Sequence, residues 1–219
     1  MNWDYIVAAL PRFFEATLMT LALSFWGILL SLIIGIICAV VTTYKVKSLN
    51  WPVKSYIELS RNTPLLIQVF FLYFGLSKIG IKLDGFTCGI IGLGFLGGSY
   101  MSEAIRGGLE AVSKGQIESA LSLGLTPFQA FRYIIFPQAF AIAIPAIGAN
   151  CLFLIKETSI ISAIAVAELM FMAKEIIGMD YKTNEALFLL MVFYLIILLP
   201  ISIFIRYLEV HTRRAKYGA

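Results

Sequence analysis

The chain has little with which to make or break covalent bonds. Its 219 residues include a single histidine, His211, and three cysteines, Cys38, Cys88 and Cys151, set far apart in apolar sequence. No pair of cysteines has metal-binding or redox spacing, so their expected role is packing. There is no G-x-x-x-x-G-K-[S/T] loop to cradle a nucleotide, and no H-x-x-x-H, C-x-x-C or G-x-S-x-G. Nor do paired carboxylates stand beside a nucleophile. The chain is therefore not expected to be an enzyme by itself, or to hold a metal or cofactor of its own. Charge is scarce too: 14% of residues are Asp, Glu, Lys or Arg, against about 25% in soluble domains. A soluble core is excluded on that ground.

Hydrocarbon takes the place of charge. Hydrophobic residues make up 60% of the chain, and the mean hydropathy is +0.89. Several apolar runs approach the ~20 residues that a bilayer crossing needs, which predicts an all-α polytopic membrane protein. The first run, Thr17 to Val41, is about twice as long as a signal-peptide core and has no small-residue cleavage pattern after it. It is expected to stay as a mature span. A second extends from about Pro64 to Leu76, with its helix starting near Tyr56; a third covers Phe86 to Met101, and a fifth Ala186 to Ile205. The fourth begins near Pro137 and is unusual. Ala139 to Ala173 would measure roughly 50 Å as continuous helix, against a hydrocarbon core of about 30 Å, and Lys156, Glu157 and Thr158 sit inside it. A helical hairpin cannot turn on two or three residues in lipid, where backbone groups must stay satisfied. One span that breaks and then leaves the membrane is predicted, giving about five transmembrane helices in a single domain over residues 1–219.

Five spans divide the basic residues unequally. Lys45, Lys47, Lys54, Arg61, Arg106, Lys114, Arg132, Arg206, Arg213, Arg214 and Lys216 fall on one side, and Arg12, Lys78, Lys82, Lys174 and Lys182 on the other. The richer side is expected in the cytoplasm, which puts the amino terminus outside and the carboxyl terminus inside. That bias accounts for the net charge of +4 without a nucleic-acid partner. "GLGFLG", Gly92 to Gly97, matches a dinucleotide-binding pattern, but that pattern has meaning only between a strand and a helix. Inside an apolar span it reads as close helix packing, as does the G-x-x-x-G of Gly94 and Gly98.

Ionisable groups stand where hydrocarbon is expected. Glu58 and Arg61 precede Thr63 and Pro64 in "ELSRNTP", Lys156 and Glu157 interrupt the fourth span in "LIKETSI", and Glu168 follows Glu157 by about three helical turns. Each costs at least ~2.5–3.5 kcal/mol at the bilayer centre, so such groups face cavities or partners. Glu58 and Arg61 have the spacing of a local pair, Lys156 and Glu157 that of mutual neutralisation, and Glu168 that of a headgroup contact. Together they also suggest a polar cavity at broken helices, as transporters build near the midplane. Arg61 would hold a carboxylate bidentately and Glu157 would accept an ammonium. Glu157 and Glu168 share a face if helix continues between them.

The segment "IESALSLGLTPFQAFRYIIFPQAF", Ile117 to Phe140, is too elaborate for a passive connector. "ESALSLG" followed by "IIFP" resembles the EAA loop of ABC-importer permeases: Glu118, Ala120 and Gly124 match, and Ile134 and Pro137 fall at the required spacing. Ser119 replaces the first alanine and Phe136 the leucine. "SYIELSRNTPLLIQVFFLYFGL", "SEAIRGGLEAVSKGQIESALSLGLT", "FPQAF" and "LIKETSI" look like successive signatures of the polar amino acid permease family, over about residues 55 to 160. Asn62 stands where many members carry glycine.

The resemblance implies a type I ABC importer-like fold with a cytoplasmic coupling segment at about residues 103–136. It implies a groove on an ATP-binding cassette subunit, present in two copies, that receives Glu118, Ser119, Ala120 and Gly124, with ATP and Mg on that partner and none here. Small Ala120 would permit close approach to the groove. Gly124 would turn the chain between two short helices, and Thr126 before Pro127 reads as a helix start. A second permease, identical or homologous, and an extracellular substrate-binding protein or domain complete the expected partners. Arg61, Thr63, Glu157, Ser159 and Glu168 are the expected substrate contacts, with a polar amino acid moved across the cytoplasmic membrane. The alternative is a stand-alone ion-coupled carrier or channel using Glu157 and Glu168. A carrier would normally show a second, inverted set of spans, and no internal duplication is visible.

Overall fold

A computed structural model describes residues 1–217, with side chains through Thr212. It is helical, with no strand among the described residues. The first helix, α1 (Trp3–Thr43), starts at Asn2, whose side chain accepts from the Tyr5 amide. At 41 residues it is about 60 Å long, well beyond the Thr17–Val41 run. Its hydroxyls are satisfied within the helix: Thr17, Thr20, Ser24 and Ser31 donate to the carbonyls of Phe13, Ala16, Thr20 and Gly27 at 2.7–3.0 Å. Small polar residues thereby lie inside an apolar span without exposing a donor to lipid.

Helix α2 (Lys47–Arg61) ends at Asn62, and α3 (Leu65–Lys78) begins just after Pro64. The second apolar run is thus two helices separated by a break, not one helix from Tyr56. Next comes α4 (Gly85–Glu110), capped by Asp84. The Thr87 hydroxyl and amide both donate to that carboxylate, at 2.6 and 3.0 Å, and hold it below the usual carboxylate range. Helix α5 (Lys114–Ser122) is short, and α6 (Pro127–Ile164) is long and apolar. Helix α7 (Leu169–Asp180) follows a break, and α8 (Thr183–Tyr217) closes the chain.

Glycine sets how closely α1 and α4 approach. A Cβ on Gly97 would stand 2.2 Å from Ser31 Oγ, one on Gly94 2.4 Å from Leu30, and one on Gly35 2.5 Å from Met101. Real side chains do not pack at such distances, so a residue larger than glycine at these positions must displace its neighbour on the other helix. The contacts also advance together: Gly27 meets Leu93, Gly97 meets Ser31, Gly98 meets Ile34 and Gly35 meets Met101. The two helices therefore run parallel. Parallel neighbours require the chain between them to travel back the full length of the bundle, and that return is the broken pair α2 and α3. Gly108 against Ala139 and Gly97 against Leu154 make α4 and α6 antiparallel. Among the described residues, four helices are long and apolar enough to cross a membrane, and Leu65–Lys78 supplies a shorter fifth.

Two apolar cores result. One joins the amino-terminal half of α1 to α7 and α8 through Phe13, Leu169, Ile176 and Leu189. The other joins α3, α4 and the end of α6 through Leu65, Val69, Leu93, Ile161 and Ile164.

Candidate functional site

Two features have the character of a working part: the turn between α5 and α6, and the two places where apolar helices break. At the turn, the Leu125 amide reaches back to the Ala120 carbonyl at 3.2 Å and Gly124 adopts a φ of +83°. Helix α6 then starts with a complete capping box. The Thr126 hydroxyl accepts from the Gln129 amide, the Gln129 side chain accepts from the Thr126 amide, and Pro127 occupies the first turn. The expected helix start at Thr126 is present, and Gln129 is the half of the box that sequence reasoning passed over.

Glu118, Ser119, Leu121 and Gly124 are exposed on this turn, and Leu123 is 82% exposed. Ala120 is not. It is 1% exposed, as Ala130 of α6 is 2%. Its small size serves packing within this chain, while Glu118, Ser119, Leu123 and Phe128 form the presented surface. A single turn of wider helix, Phe131–Ile135, follows immediately; such insertions bend helices and recur at functional places.

The first break is at Asn62–Pro64. Proline has no N–H, so the Ser60 carbonyl loses the donor four residues on. Gln68 replaces it. Its side-chain amide donates to Ser60 O and Thr63 O at 3.1 Å each, and lies 2.9 Å from Thr63 Oγ1. Thr63 itself donates to Leu59 O at 2.8 Å. Below the break, Tyr56 and Ser60 donate to Phe95 O at 2.6 and 2.8 Å, pinning α2 to α4. Gln68 is the residue that sequence reasoning missed, and its signal was Pro64 standing four after Ser60.

The second break begins at Glu157. Helix α6 tightens to a 3-10 form over Thr158–Ile164, and Ala165 takes a left-handed φ of 59°. The expected break in this span is present; helix does not continue from Glu157 to Glu168, and the two carboxylates do not share a helical face. Glu168 starts α7 instead. It is 0% exposed, and its carboxylate accepts from the Phe171 and Met170 amides at 2.7 and 2.9 Å. The Leu169 amide donates to Thr20 of α1 at 3.2 Å. The cost of a buried charge is met here by the unsatisfied amides of a helix start. Glu157 is half-buried, Lys156 is exposed, and the Ser159 hydroxyl donates to Lys156 O at 2.8 Å.

The breaks meet: Leu65 and Val69, just past the first, share a core with Ile161 and Ile164 of the second. Thr63 and Gln68 open on a cavity of about 390 Å³ otherwise lined by apolar side chains such as Ile67, Phe71 and Phe95. Arg61 faces elsewhere. It lies over the Tyr100 ring at 5.2 Å, with Glu103 at 4.0 Å, in a charged cleft. Its expected local pairing with Glu58 is not formed; Glu58 accepts from the Asn62 side chain at 3.2 Å. Of the five expected substrate contacts, Thr63 and Arg61 are thus neighbours opening on different cavities, Glu157 and Ser159 lie together at the second break, and Glu168 is enclosed in the fold.

Residues 31–214 match the family described as binding-protein-dependent transport system inner membrane component. The chain is 36% identical to the probable glutamine ABC transporter permease protein GlnM of Bacillus subtilis over 209 residues, covering 95% of this chain and 97% of that one. It is 35% identical to the glutamine transport system permease protein GlnP of Escherichia coli, covering 98% of each. The nopaline transport system permease protein NocM of Agrobacterium fabrum is 33% identical, over 92% of this chain and 88% of its own. Among solved structures, an amino acid ABC transporter chain, from a crystal structure with histidines, superposes with a TM-score of 0.89 at 33% identity, over 96% of this chain and 99% of that one. A chain of the inward-facing MetNI methionine ABC transporter shares the fold, with a TM-score of 0.70 at 20% identity, over 95% and 99%.

Proposed function

Because this chain belongs to the binding-protein-dependent transport system inner membrane component family and is a permease subunit of an ABC importer, we propose that it imports a polar amino acid. That reading is favoured over a stand-alone carrier by the family and by the exposed α5–α6 turn, which is the observation that carries it. Glu118, Ser119, Leu123 and Gly124 would enter a groove on an ATP-binding cassette subunit, two copies of which hold the ATP and Mg and perform the hydrolysis. A second permease, identical or homologous, completes the pathway, and an extracellular binding protein or domain delivers substrate.

The amino acid class rests on the relatives, whose names specify glutamine and nopaline. The mechanism follows from the two breaks. Movement of the ATPases would act on the α5–α6 turn; the wide turn at Phe131–Ile135 lies just inside α6, and the far end of α6, at Ile161 and Ile164, packs on Leu65 and Val69 just past the α2–α3 break. Movement at the α5–α6 turn is thereby converted into a change of access at the broken helices. Glu157 would take the ammonium of the substrate and Thr63 and Ser159 its polar atoms. Arg61 would meet its carboxylate when the pathway opens inward, and Glu168 would fix the position of α7. The amino terminus would lie outside and the carboxyl terminus in the cytoplasm.

The test is co-purification from the native host in mild detergent, followed by transport in proteoliposomes. We expect a Walker A-containing subunit in the complex, and glutamine or a related amino acid taken up only with ATP and binding protein. A chain that purifies alone and transports without ATP would end this reading.

A further inference from the structure

A cleft of about 510 Å³ lies where the end of α1, the body of α2 and the end of α4 converge, and it is distinct from the cavity at the α2–α3 break. Its walls carry four cations, Lys45, Lys54, Arg61 and Arg106, and three carboxylates, Glu58, Glu103 and Glu110. The carboxylates are largely spent. Arg106 holds Glu103 at 2.6 Å and Glu110 at 2.8 Å, while Glu58 accepts from Asn62. Arg61 touches Glu103 only at 4.0 Å. Among the described residues, neither Lys45 nor Lys54 has a carboxylate within ion-pair distance. The cleft is thus short of one anion, with two lysines at its rim to receive it.

The membrane level of the cleft is given by α2. Trp51, Lys54, Glu58 and Arg61 follow one another at spacings of three and four and so share one helix face. Trp51 on that face is 78% exposed. An exposed tryptophan beside lysines on an amphipathic helix belongs at headgroup depth, where the ring meets acyl chains and the ammonium groups reach outward. The cleft faces the leaflet in which cytoplasmic anionic lipids lie, provided the orientation proposed above holds.

We propose that this cleft holds the headgroup phosphate of an anionic phospholipid, with Lys45 and Lys54 as its ligands and Trp51 against its acyl chains. Its ligands, Lys45 and Lys54, are not among the proposed substrate contacts, although Arg61 lines the same cleft, and the site would make the importer depend on the charge of its own membrane.

The experiment uses the whole complex, with its ATPase, in nanodiscs of phosphatidylcholine with and without phosphatidylglycerol. Bound phosphatidylglycerol is counted by native mass spectrometry. The wild type should retain it. A variant carrying Lys45→Asn and Lys54→Gln should bind it about tenfold to thirtyfold more weakly, and Lys78→Gln, at the opposite end of the bundle, should bind it as the wild type does. Asparagine is chosen because residue 45 has a left-handed φ of 50°, which asparagine tolerates. Equal retention in the double variant, or no retention by the wild type, would overturn the proposal; the wild-type arm does not depend on the variant's folding. Displacement of the lipid by millimolar inorganic phosphate would reassign the cleft to a free anion, and displacement by glutamine to the transported product. ATP-driven uptake recorded on the same samples keeps the tests apart: normal uptake without lipid retention removes the lipid site and leaves the importer standing.

Discussion

At the scale of single residues, Gly124 is constrained by its backbone alone. No heavy atom lies within 4 Å of where its Cβ would stand, yet its φ is +83°. The restriction comes from the backbone and not from crowding. Valine there meets roughly 1–2 kcal/mol of left-handed strain, whereas asparagine adopts that region readily. We expect Gly124→Val to reach the membrane normally but to lose uptake by about tenfold, since a strain of this size suffices for that factor. Gly124→Asn should keep most of it. Uptake into vesicles, normalised to permease content, distinguishes the two; identical losses would mean that the turn's conformation does not carry the coupling. The spacing of Glu118, Gly124 and Pro137 makes this turn legible in the sequence. The inward orientation of Ala120 is not, because a short motif does not record which of its small residues faces its own chain.

At the scale of elements, the breaks decide what the spans can do. Gln68 stands in for the N–H that Pro64 lacks, so Gln68→Leu should strand the carbonyls of Ser60 and Thr63, each at about 1–3 kcal/mol. The expected result is a fall of several degrees in the thermal midpoint of the purified complex, together with lost uptake. Adding Pro64→Ala should return an N–H to Ser60, recovering part of the midpoint but not the uptake, because the break itself is then healed. Recovery of both would show that the break has no part in transport. Four of the spans are readable from hydropathy, and the glycines of α4 from their spacing, because apolar length and close approach leave direct marks in sequence. The second break is readable only as a position. A charged pair in an apolar run shows that helix geometry changes. That Ala165 turns left-handed and Glu168 caps a new helix has no comparable local mark, and the Leu169 amide of that new start is held by Thr20, 149 residues earlier. The ion ladder of Glu103, Arg106 and Glu110 lies in plain sight at helical spacing, but nothing local says that Arg61 joins it.

At the scale of the whole molecule, the parallel packing of α1 on α4 requires a return crossing between them, and the distribution of basic residues is what the proposed orientation rests on. An odd number of crossings places the basic carboxyl-terminal end, Arg213, Arg214 and Lys216, whose side chains lie outside the described residues, on the same side as Lys114 and the α5–α6 turn. This can be tested in a background without cysteine, because Cys38 and Cys88 are buried and Cys151 is partly so, and small apolar replacements should be accepted there. Lys82→Cys, exposed between α3 and α4, and Lys114→Cys, exposed at the start of α5, then report the two faces. A membrane-impermeant maleimide should label Lys82→Cys on intact spheroplasts and Lys114→Cys only after permeabilisation. The reverse pattern would place the α5–α6 turn outside the cell, beyond reach of any ATPase, and would take the charged cleft at Lys45 and Lys54 out of the cytoplasmic leaflet with it. Both functional proposals therefore stand on the charge asymmetry, and this labelling is the measurement that bears on them together.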